Sequence, residues 1–339
     1  MIKEAIATLV TGRSLSMDQA ESAMTEIMNG EVTPAQFGAF VTALRIKGET
    51  SVEVAGMAKV MRAKAIQVHA DGPVVDTCGT GGDNAFTFNI STAAAFVVAG
   101  AGLKVAKHGN RAASSQCGSA DVLEALGVKI ELSAQQVERC LKEVGIGFMF
   151  APAFHPAMKY AGPPRREIGI RTVFNILGPL TNPAHAQAQV LGVAEASLTE
   201  KMAVVLRTLG CRHALVVHGE DGLDEITITG KTQIRELEGD RIKMYSVSPE
   251  DFGFSRTTLE DIKGSTPSEN AASVRRILAG AAGPLRDVVL MNAAAAIVAG
   301  DKARSLPEGA RLATEAIDSG RALDKLEQLI KISQSLTVS

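Results

Sequence analysis

The chain has no tryptophan, and only 2 tyrosines and 11 phenylalanines among its 339 residues. Proteins that bind single-stranded nucleic acid usually stack bases on aromatic side chains, and nucleic-acid binders in general carry a basic excess. Here 37 acidic residues outnumber 35 basic ones, so the formal net charge is −2. We therefore expect no nucleic-acid partner.

Long apolar runs are missing as well. The longest uninterrupted run, residues 93–103, is too short to cross a bilayer as a helix, and the first residues lack the pattern of a signal peptide. The four cysteines form no CxxC pair, which is typical of a reducing compartment and gives no zinc motif. These absences predict a cytoplasmic protein with no membrane partner. The cysteines are Cys78, Cys117, Cys140 and Cys211.

The length predicts about two domains at roughly 150 residues each, and a hydrophobic fraction of 46% is ordinary for a globular chain. Three helix-start signals occur early, each a hydroxyl followed three residues later by Gln or Glu. We therefore predict a helical domain over residues 1–71 and a second domain over residues 72–339. The signals are Ser16 with Gln19, Thr33 with Gln36, and Thr50 with Glu53.

The second domain begins with a different pattern. A short strand at 73–75 leads into a glycine-rich loop, an apolar helix over 91–100 and a strand over 103–106. Strand, helix and strand in this order form a βαβ unit with a parallel sheet. The alternation continues with a helix expected over 167–177, shorter strands of different character over 226–244, and helices from Thr266 onward. The predicted fold is α/β, with a small all-helical N-terminal domain and a larger α/β domain around a mainly parallel central sheet.

The glycine-rich segment Asp76–Asp83 could bind an anion through its backbone N–H groups, since it lies between a strand and a helix. It is not a dinucleotide fingerprint, because Asn84 stands where the third glycine would be and no acidic residue follows until Asp121. It is not a P-loop either. On glycines alone, a tight turn in the core explains it equally well.

The stretch from residue 84 to residue 120 contains no Asp or Glu. Cationic groups together with hydroxyls and amides near strand ends suit a phosphate or pyrophosphate ligand. The alternative is a solvated basic loop. The polar residues of this stretch include Lys104, Lys107, His108, Arg111, Thr87, Asn89, Ser91, Thr92, Asn110, Ser114, Ser115 and Ser119.

Two further segments bear charge in unusual places. Four carboxylates fall within residues 220–225 after a predicted strand, where they would bind Mg²⁺ bridged to a phosphate, or form only a charged turn.

Arg165 and Arg166 stand at the expected start of the 167–177 helix, against the helix dipole. They would bind a carboxylate or phosphate, or pair with Glu167 on the surface. His155, in a proline-bracketed turn, is expected to cap or pack, or else to line a pocket. No pattern of Ser, His, Cys and Asp predicts a protein nucleophile or general base.

Taken together, these segments closely resemble the anthranilate phosphoribosyltransferase family of tryptophan biosynthesis. The similarity runs in order along almost the whole chain, and one departure is Gly264-Ser265, where two glycines are common. The segments that carry it are Asp76–Asp83, Asn89–Thr92, Lys107–Arg111, Gly118–Asp121, Arg165–Thr172, Gly178–Pro183, Asp221–Glu225, Glu269–Ala271 and Asn292–Ala296.

The resemblance implies a fold shared with pyrimidine nucleoside phosphorylases and a homodimer paired through the helical domain. It implies that anthranilate attacks C1 of 5-phosphoribosyl 1-diphosphate (PRPP), giving N-(5-phosphoribosyl)anthranilate and pyrophosphate, the second step from chorismate. Mg²⁺ is the implied cofactor, as two ions with PRPP. An aryl amine is unprotonated at neutral pH, so it needs placement more than a base.

Site residues follow from the resemblance. Lys107 would stabilise charge on the departing pyrophosphate, while Ser91, Asp224 and Glu225 would hold the metal. Gly79, His108, Asn110 and Arg165 would bind anthranilate, with Arg165 at its carboxylate. The implied PRPP-binding residues are Gly79, Thr80, Gly81, Gly82, Asp83, Thr87, Asn89, Ile90, Ser91, Thr92, Lys107, His108, Gly109, Asn110, Arg111, Ala112, Ala113, Ser114, Ser115 and Ser119.

Two rival interpretations stay open on the sequence. A pyrimidine nucleoside phosphorylase on the same fold would use phosphate and a nucleoside, but Arg165-Arg166 and the pair Asp224-Glu225 favour the transferase. A non-catalytic relative that binds nucleic acid would need a basic surface, and the net charge of −2 opposes it.

Overall fold

A computed structural model describes residues 1–112 and 116–336 of the chain. The first four helices form one unit, and all three predicted capping boxes are present: the hydroxyls of Ser16, Thr33 and Thr50 accept the backbone N–H of the third residue of α2, α3 and α4. These helices are α1 (Ile2–Val10), α2 (Met17–Asn29), α3 (Pro34–Lys47) and α4 (Ser51–Lys64).

Seven strands form one sheet in the order β3-β2-β1-β4-β5-β6-β7. The first five run parallel, and β6 and β7 form an antiparallel hairpin at one edge. The parallel core and the change of character after residue 226 are confirmed. The strands are β1 (Val75–Gly79), β2 (Val105–Gly109), β3 (Ile146–Phe150), β4 (Ala188–Gly192), β5 (His213–Gly219), β6 (Thr232–Glu238) and β7 (Arg241–Val247).

The remaining helices cover both faces of the sheet. The later ones are α5 (Ile90–Gly100), α6 (Ser119–Leu126), α7 (Ala134–Glu143), α8 (Ala151–Phe154), α9 (Met158–Ile168), α10 (Phe174–Leu177), α11 (Leu198–Thr208), α12 (Pro267–Leu278), α13 (Pro284–Ala299), α14 (Leu306–Asp318) and α15 (Arg321–Ser335), with 3₁₀ turns at Gly178–Leu180, Pro249–Phe252 and Leu259–Ile262. In the described part of the chain, none of these helices is long and apolar enough to span a membrane.

Neighbouring residues of one strand enter different cores, as the two-residue strand period requires. Leu215 and Val217 join the larger core with α5 and α13, whereas Ala214 and Val216 join the core that contains α2, α3 and α4. The helical unit therefore packs on one face of the sheet, together with α9, α10 and α11. The fold class predicted from the sequence is confirmed.

The prediction of a helix over 167–177 is wrong. Helix α9 starts earlier, at Met158, runs through Pro163 and Pro164, and ends at Ile168, before Gly169 in a left-handed conformation with φ of +67°. Arg165 therefore lies in the last helical turn, where a cation is favoured by the helix dipole rather than opposed.

Candidate active site

Four of the five parallel strands end in glycine at one edge of the sheet: Gly79, Gly109, Gly192 and Gly219. In open α/β sheets, ligands bind in the crevice beyond the carboxyl ends of parallel strands. Two loops meet there. We call residues 80–89, between β1 and α5, the glycine loop, and residues 220–225, after β5, the acidic loop.

The two loops are joined at Asp224. The backbone N–H of Gly81 donates to Asp224 Oδ2 at 2.7 Å, and the Asp224 N–H lies 3.5 Å from Asp83 Oδ2. A Cβ on Gly79 would lie 2.2 Å from Asp224 Oδ2, and one on Gly192 would lie 1.5 Å from the Asp224 carbonyl oxygen. Glycine at both strand ends is therefore what allows the acidic loop to approach the glycine loop.

Negative charge is concentrated at this junction. Burial raises the pKa of Asp224 well above its ordinary value, and repulsion from Asp83 and Glu225 raises it further. Burial also raises the pKa of Glu225, although Lys107 and hydrogen bonds from the backbone and hydroxyl of Ser91 oppose the rise. Three carboxylates and a serine hydroxyl are oxygen donors of the kind that Mg²⁺ prefers. A divalent cation would offset their mutual repulsion, so this donor set fits the metal.

Within the described residues, no three or more His, Cys, Asp or Glu side chains are grouped so that they alone could hold a metal ion. Mg²⁺ commonly uses one or two protein carboxylates and takes its other ligands from water and substrate phosphates. The acidic loop therefore suits a metal that arrives with a phosphorylated ligand.

Lys107 supplies a buried cation under the two loops. Its side chain is 3% exposed as part of β2, and its ammonium donates to the Thr77 carbonyl and lies 3.4 Å from Ser91 Oγ. Burial lowers the pKa of Lys107, while the nearby Asp76 carboxylate opposes the decrease. The ammonium faces the same serine that reaches Glu225.

Asp76 ties the strands beneath the site together. Its carboxylate accepts the His108 N–H at 3.3 Å and the Asn182 side-chain amide at 2.7 Å, and burial raises its pKa. Asn182 also donates to the Ala106 carbonyl at 2.8 Å. Sequence reasoning gave no role to Asn182, although the motif that contains it was part of the resemblance.

His108 faces His155, with ring centroids 5.0 Å apart. Both Nε2 atoms are buried without a partner among the described residues. Burial lowers the pKa of His108 to about 3 and that of His155 to about 4. Both rings are therefore neutral near pH 7 and leave two nitrogens free for a ligand. His155 was expected to cap or pack, with a place in a pocket as the alternative, and its pairing with His108 could not be read from their spacing in the chain.

Arg165 and Arg171 are two cations without an acidic partner within 4.0 Å in the part of the chain that the structure describes. Burial and the charge of Arg171 lower the pKa of Arg165. Arg171 donates to the Gly81 carbonyl at 3.2 Å, and its guanidinium fills the space where a Gly82 side chain would point. Arg171 was quoted in the resemblance without a role. Arg171 therefore sets a guanidinium against the glycine loop, and Arg165 is near enough to feel its charge.

The start of α5 presents backbone rather than side chains. Ile90 and Thr92 are each 1% exposed, so their side chains lie in the core. The Ile90 N–H already donates to the Phe88 carbonyl at 2.8 Å. Of these two residues, Thr92 is therefore the one whose backbone N–H can reach a ligand, at a helix end where anions are favoured. Asn89 is fixed in front of the helix, since its amide donates to the Cys117 carbonyl at 3.0 Å and accepts from Asn270 at 3.0 Å.

Two threonines hold the ends of the glycine loop. The Thr80 hydroxyl accepts the Ala194 N–H at 3.3 Å, and Thr87 bridges to Lys263. Between them Gly81 and Gly82 adopt φ of +66° and +78°, a conformation that costs glycine little.

The segment after β2 is anchored on α6. Asp121 accepts the backbone N–H of Ala112 at 2.9 Å and of Gly118 at 2.8 Å, while Ser119 Oγ donates to the Asn110 carbonyl at 3.2 Å. The Arg111 guanidinium is paired with Asp121 and Glu124. The Arg111 side chain is thus held by α6 rather than directed at the glycine loop. The acid-free stretch gave no sign of this ion pair, because both of its acidic partners lie beyond residue 120.

Gly109 lies where β2 ends, and a Cβ there would be 2.2 Å from Ser119 Oγ. The other three predicted residues of this segment, Ala113, Ser114 and Ser115, lie outside the described residues.

Comparison with known proteins agrees with this geometry. Residues 71–323 match the α/β domain of a glycosyl transferase family and residues 3–65 match its helical bundle domain. The chain is 60% identical over 338 residues to an anthranilate phosphoribosyltransferase from Dehalococcoides mccartyi, with 99% of both chains covered.

Two solved structures are similar over nearly their whole length. The enzyme of the same name from Thermus thermophilus has a TM-score of 0.93 and 44% identity, covering 98% of this chain and 99% of that one. The Saccharomyces cerevisiae enzyme, solved in complex with PRPP and Mg, has a TM-score of 0.91 and 29% identity, covering 99% and 98%. This chain therefore belongs to the anthranilate phosphoribosyltransferases, within that glycosyl transferase family.

Proposed function

We propose that the crevice beyond β1, β2, β4 and β5 transfers the 5-phosphoribosyl group of PRPP to the amine of anthranilate, releasing pyrophosphate. The observation that carries this proposal is the junction of the two loops. The Gly81 N–H binds Asp224 at 2.7 Å, which places carboxylates that suit a metal beside backbone N–H groups that suit a phosphate.

The diphosphate of PRPP binds across the glycine loop and the start of α5. Backbone N–H groups there stabilise phosphate oxygens without a change of protonation, and Lys107 adds a buried positive charge close to Ser91. Fixed donors of this kind stabilise charge that develops on the leaving group. The residues that we assign to PRPP are those predicted from the resemblance. Among them, Thr92 acts through its backbone N–H, the Ile90 N–H is held by the Phe88 carbonyl, and the Arg111 side chain is held by α6.

Ser91, Asp224 and Glu225 hold the metal. Mg²⁺ bound here with PRPP would neutralise the diphosphate and polarise the bond to C1. We propose two ions, because Asp83, Asp224, Glu225 and a diphosphate together carry more negative charge than one divalent cation offsets.

Anthranilate binds between the neutral imidazole pair and Arg165. A planar, uncharged wall formed by His108 and His155 suits an aromatic ring, and the half-buried guanidinium of Arg165 suits its carboxylate. Asn110 and Gly79 complete this pocket. No protein group has to remove a proton before attack, since the aryl amine carries a free electron pair. The positioning of this amine next to C1 of PRPP accelerates the reaction.

We further propose that residues 1–71 form the dimerisation domain and residues 72–339 the catalytic domain. Large apolar side chains stay exposed on the helical unit, among them Ile46 at 82% and Val10 at 67%. Light scattering after gel filtration should give twice the mass of 35.5 kDa. A monomer at micromolar concentration would contradict the dimer.

The function is tested by the fluorescence of anthranilate, because the chain contains no tryptophan to interfere. Purified protein with Mg²⁺ and limiting anthranilate should lose the signal after PRPP is added, with one pyrophosphate released per anthranilate. Omission of PRPP, or addition of a chelator, is the control. No loss from folded protein, together with phosphate-dependent cleavage of a pyrimidine nucleoside, would favour a nucleoside phosphorylase.

A further inference from the structure

Arg62, near the end of α4, is a buried cation. The residue is 9% exposed, and no carboxylate lies within 4.0 Å of its guanidinium in residues 1–112 and 116–336. Nε donates to the Leu180 carbonyl at 2.6 Å and Nη1 donates to the Leu209 carbonyl at 3.1 Å. Leu209 follows the last turn of α11, where the helix dipole favours a cation. Burial of a charge is costly unless hydrogen bonds compensate. These two hydrogen bonds therefore account for how the Arg62 charge is tolerated in a buried position.

The Leu180 carbonyl belongs to Gly178–Pro183, a motif that the proposed mechanism does not use. Four successive residues of this motif, from Gly178 to Thr181, each bind a side chain through the backbone. Gln189 donates to the Pro179 carbonyl at 2.8 Å and Arg62 to the Leu180 carbonyl, while His108 and His155 bond to the backbone of Gly178 and Thr181.

The two imidazoles thus depend on the same short backbone segment that Arg62 and Gln189 hold. The Nε2 atoms of His108 and His155 have no partner in the described chain. The backbone bonds to Gly178 and Thr181 are therefore the polar contacts that orient the two rings. A shift of residues 178–181 would turn both rings together.

We infer that Arg62 is a positioning residue for the acceptor pocket: it fixes the backbone of residues 178–181, and this backbone orients the His108–His155 pair. The inference rests on the proposed function, in which that pair lines the anthranilate site. Lysine cannot replace the arginine, because one ammonium lacks the planar fork that reaches two carbonyls from different elements. Among the residues assigned to PRPP only His108 depends on this segment, so PRPP binding should be much less sensitive to Arg62 than anthranilate binding.

The test compares Arg62→Met and Arg62→Lys with the wild-type chain in the anthranilate assay. We expect the KM for anthranilate to rise about tenfold or more in Arg62→Met and less in Arg62→Lys, because small displacements of positioning groups are costly. The KM for PRPP should stay within about twofold, because His108 is the one residue of its assigned site that residues 178–181 orient. Equal increases in both KM values, or no change in either, would overturn the inference.

Arg286→Met is the matched control. The Arg286 side chain is 13% exposed, donates to the Gly280 carbonyl at 3.0 Å and pairs with Asp318 at 2.6 Å. These residues lie on α13, after α12 and at the end of α14, and none of them belongs to the proposed acceptor pocket. Its loss should lower the melting temperature and leave both KM values unchanged. An anthranilate-specific increase in this variant would mean that general loosening, rather than residues 178–181, explains the effect.

If Arg62→Met does not fold, Gln189→Leu tests the same segment from β4 through the neighbouring Pro179 carbonyl. The same selective increase is expected, and unchanged anthranilate binding, followed by its fluorescence, would contradict the inference. The wild-type control separates the two claims. An active wild type with unaffected variants refutes only the positioning role, whereas an inactive wild type refutes the proposed function and the inference with it.

Discussion

Gly192→Ala adds a single methyl group at the end of β4. Gly192 is not among the residues assigned to a substrate. A Cβ at this position would lie 1.5 Å from the Asp224 carbonyl oxygen, where ordinary contact begins at 3.4 Å. One of the two groups must therefore move by about 1.9 Å, the difference between those distances. Gly192 pairs in register with Gly79 of β1 and Val217 of β5. Because strand pairing on both sides holds Gly192 in place, we expect the acidic loop to be the part that moves.

The cost follows from what that loop carries. Overpacking of this kind destabilises a fold by about 1–3 kcal/mol, which a chain of this size should tolerate. Misplacement of a catalytic group by about 1 Å can lower a rate by about 100-fold. We therefore expect kcat/KM to fall by about two orders of magnitude, with a higher Mg²⁺ concentration at half-maximal rate, since Asp224 and Glu225 move with the loop.

The assay is the loss of anthranilate fluorescence at varied Mg²⁺, with calorimetry to show that the variant is folded. Gly38→Ala is the control, because a Cβ there would meet only Ile168 Cδ1 at 3.8 Å and the residue lies within α3, where alanine is favoured over glycine. Its activity should be unchanged. A folded Gly192→Ala enzyme with wild-type rate and Mg²⁺ dependence would refute the link between the glycine strand ends and the acidic loop.

Three other outcomes are expected. Arg165→Ala should raise the KM for anthranilate by about tenfold, because a charged hydrogen bond to the substrate is lost. The KM for PRPP should rise less, and equal increases in both KM values would count against the assignment of Arg165 to the anthranilate carboxylate. Lys107→Met should lower kcat by about 100-fold in steady-state assays, as loss of a preorganised charge does, and a normal kcat would exclude a role on the leaving group. His213 lies 3.0 Å from both Glu236 and Asp301; burial lowers the pKa of His213, but these hydrogen bonds outweigh burial and raise it overall. That stabilisation is complete below the unfolded pKa of about 6.5 and is lost as the pH rises through the higher folded pKa. His213→Gln should therefore lower the melting temperature more at about pH 5.5 than at about pH 9. Equal decreases at the two pH values would contradict the pairing of His213 with Glu236 and Asp301.

Local patterns predicted local structure well. The capping boxes at Ser16, Thr33 and Thr50 form as expected because their partners lie three residues away. The parallel sheet also follows from the alternation of strands and helices. The single helix expected over 167–177 is not present, because α9 begins earlier, at Met158, and runs through Pro163 and Pro164 to Ile168.

Contacts between distant segments account for most of what could not be predicted. Gly81 and Asp224 are bonded across 143 positions of the chain, and the importance of Gly192 appears only when the acidic loop is seen against β4. The pairing of Arg111 with Asp121 and Glu124 was missed because the acid-free stretch ends one residue before Asp121. His108 and His155 meet through the fold, and no period in the sequence links them.

The Mg²⁺ dependence of turnover in the double variant Asp224→Asn and Glu225→Gln tests the central claim most directly. Both substitutions keep shape and remove charge, and burial already disfavours the ionised forms of the two groups, so the fold should survive. We predict a loss of at least about 100-fold in PRPP-dependent consumption of anthranilate, the scale of a lost electrostatic contribution, with Mg²⁺ no longer stimulating the remaining rate. Wild-type turnover with the same response to Mg²⁺ would contradict the assignment of the acidic loop as the place where metal and PRPP meet.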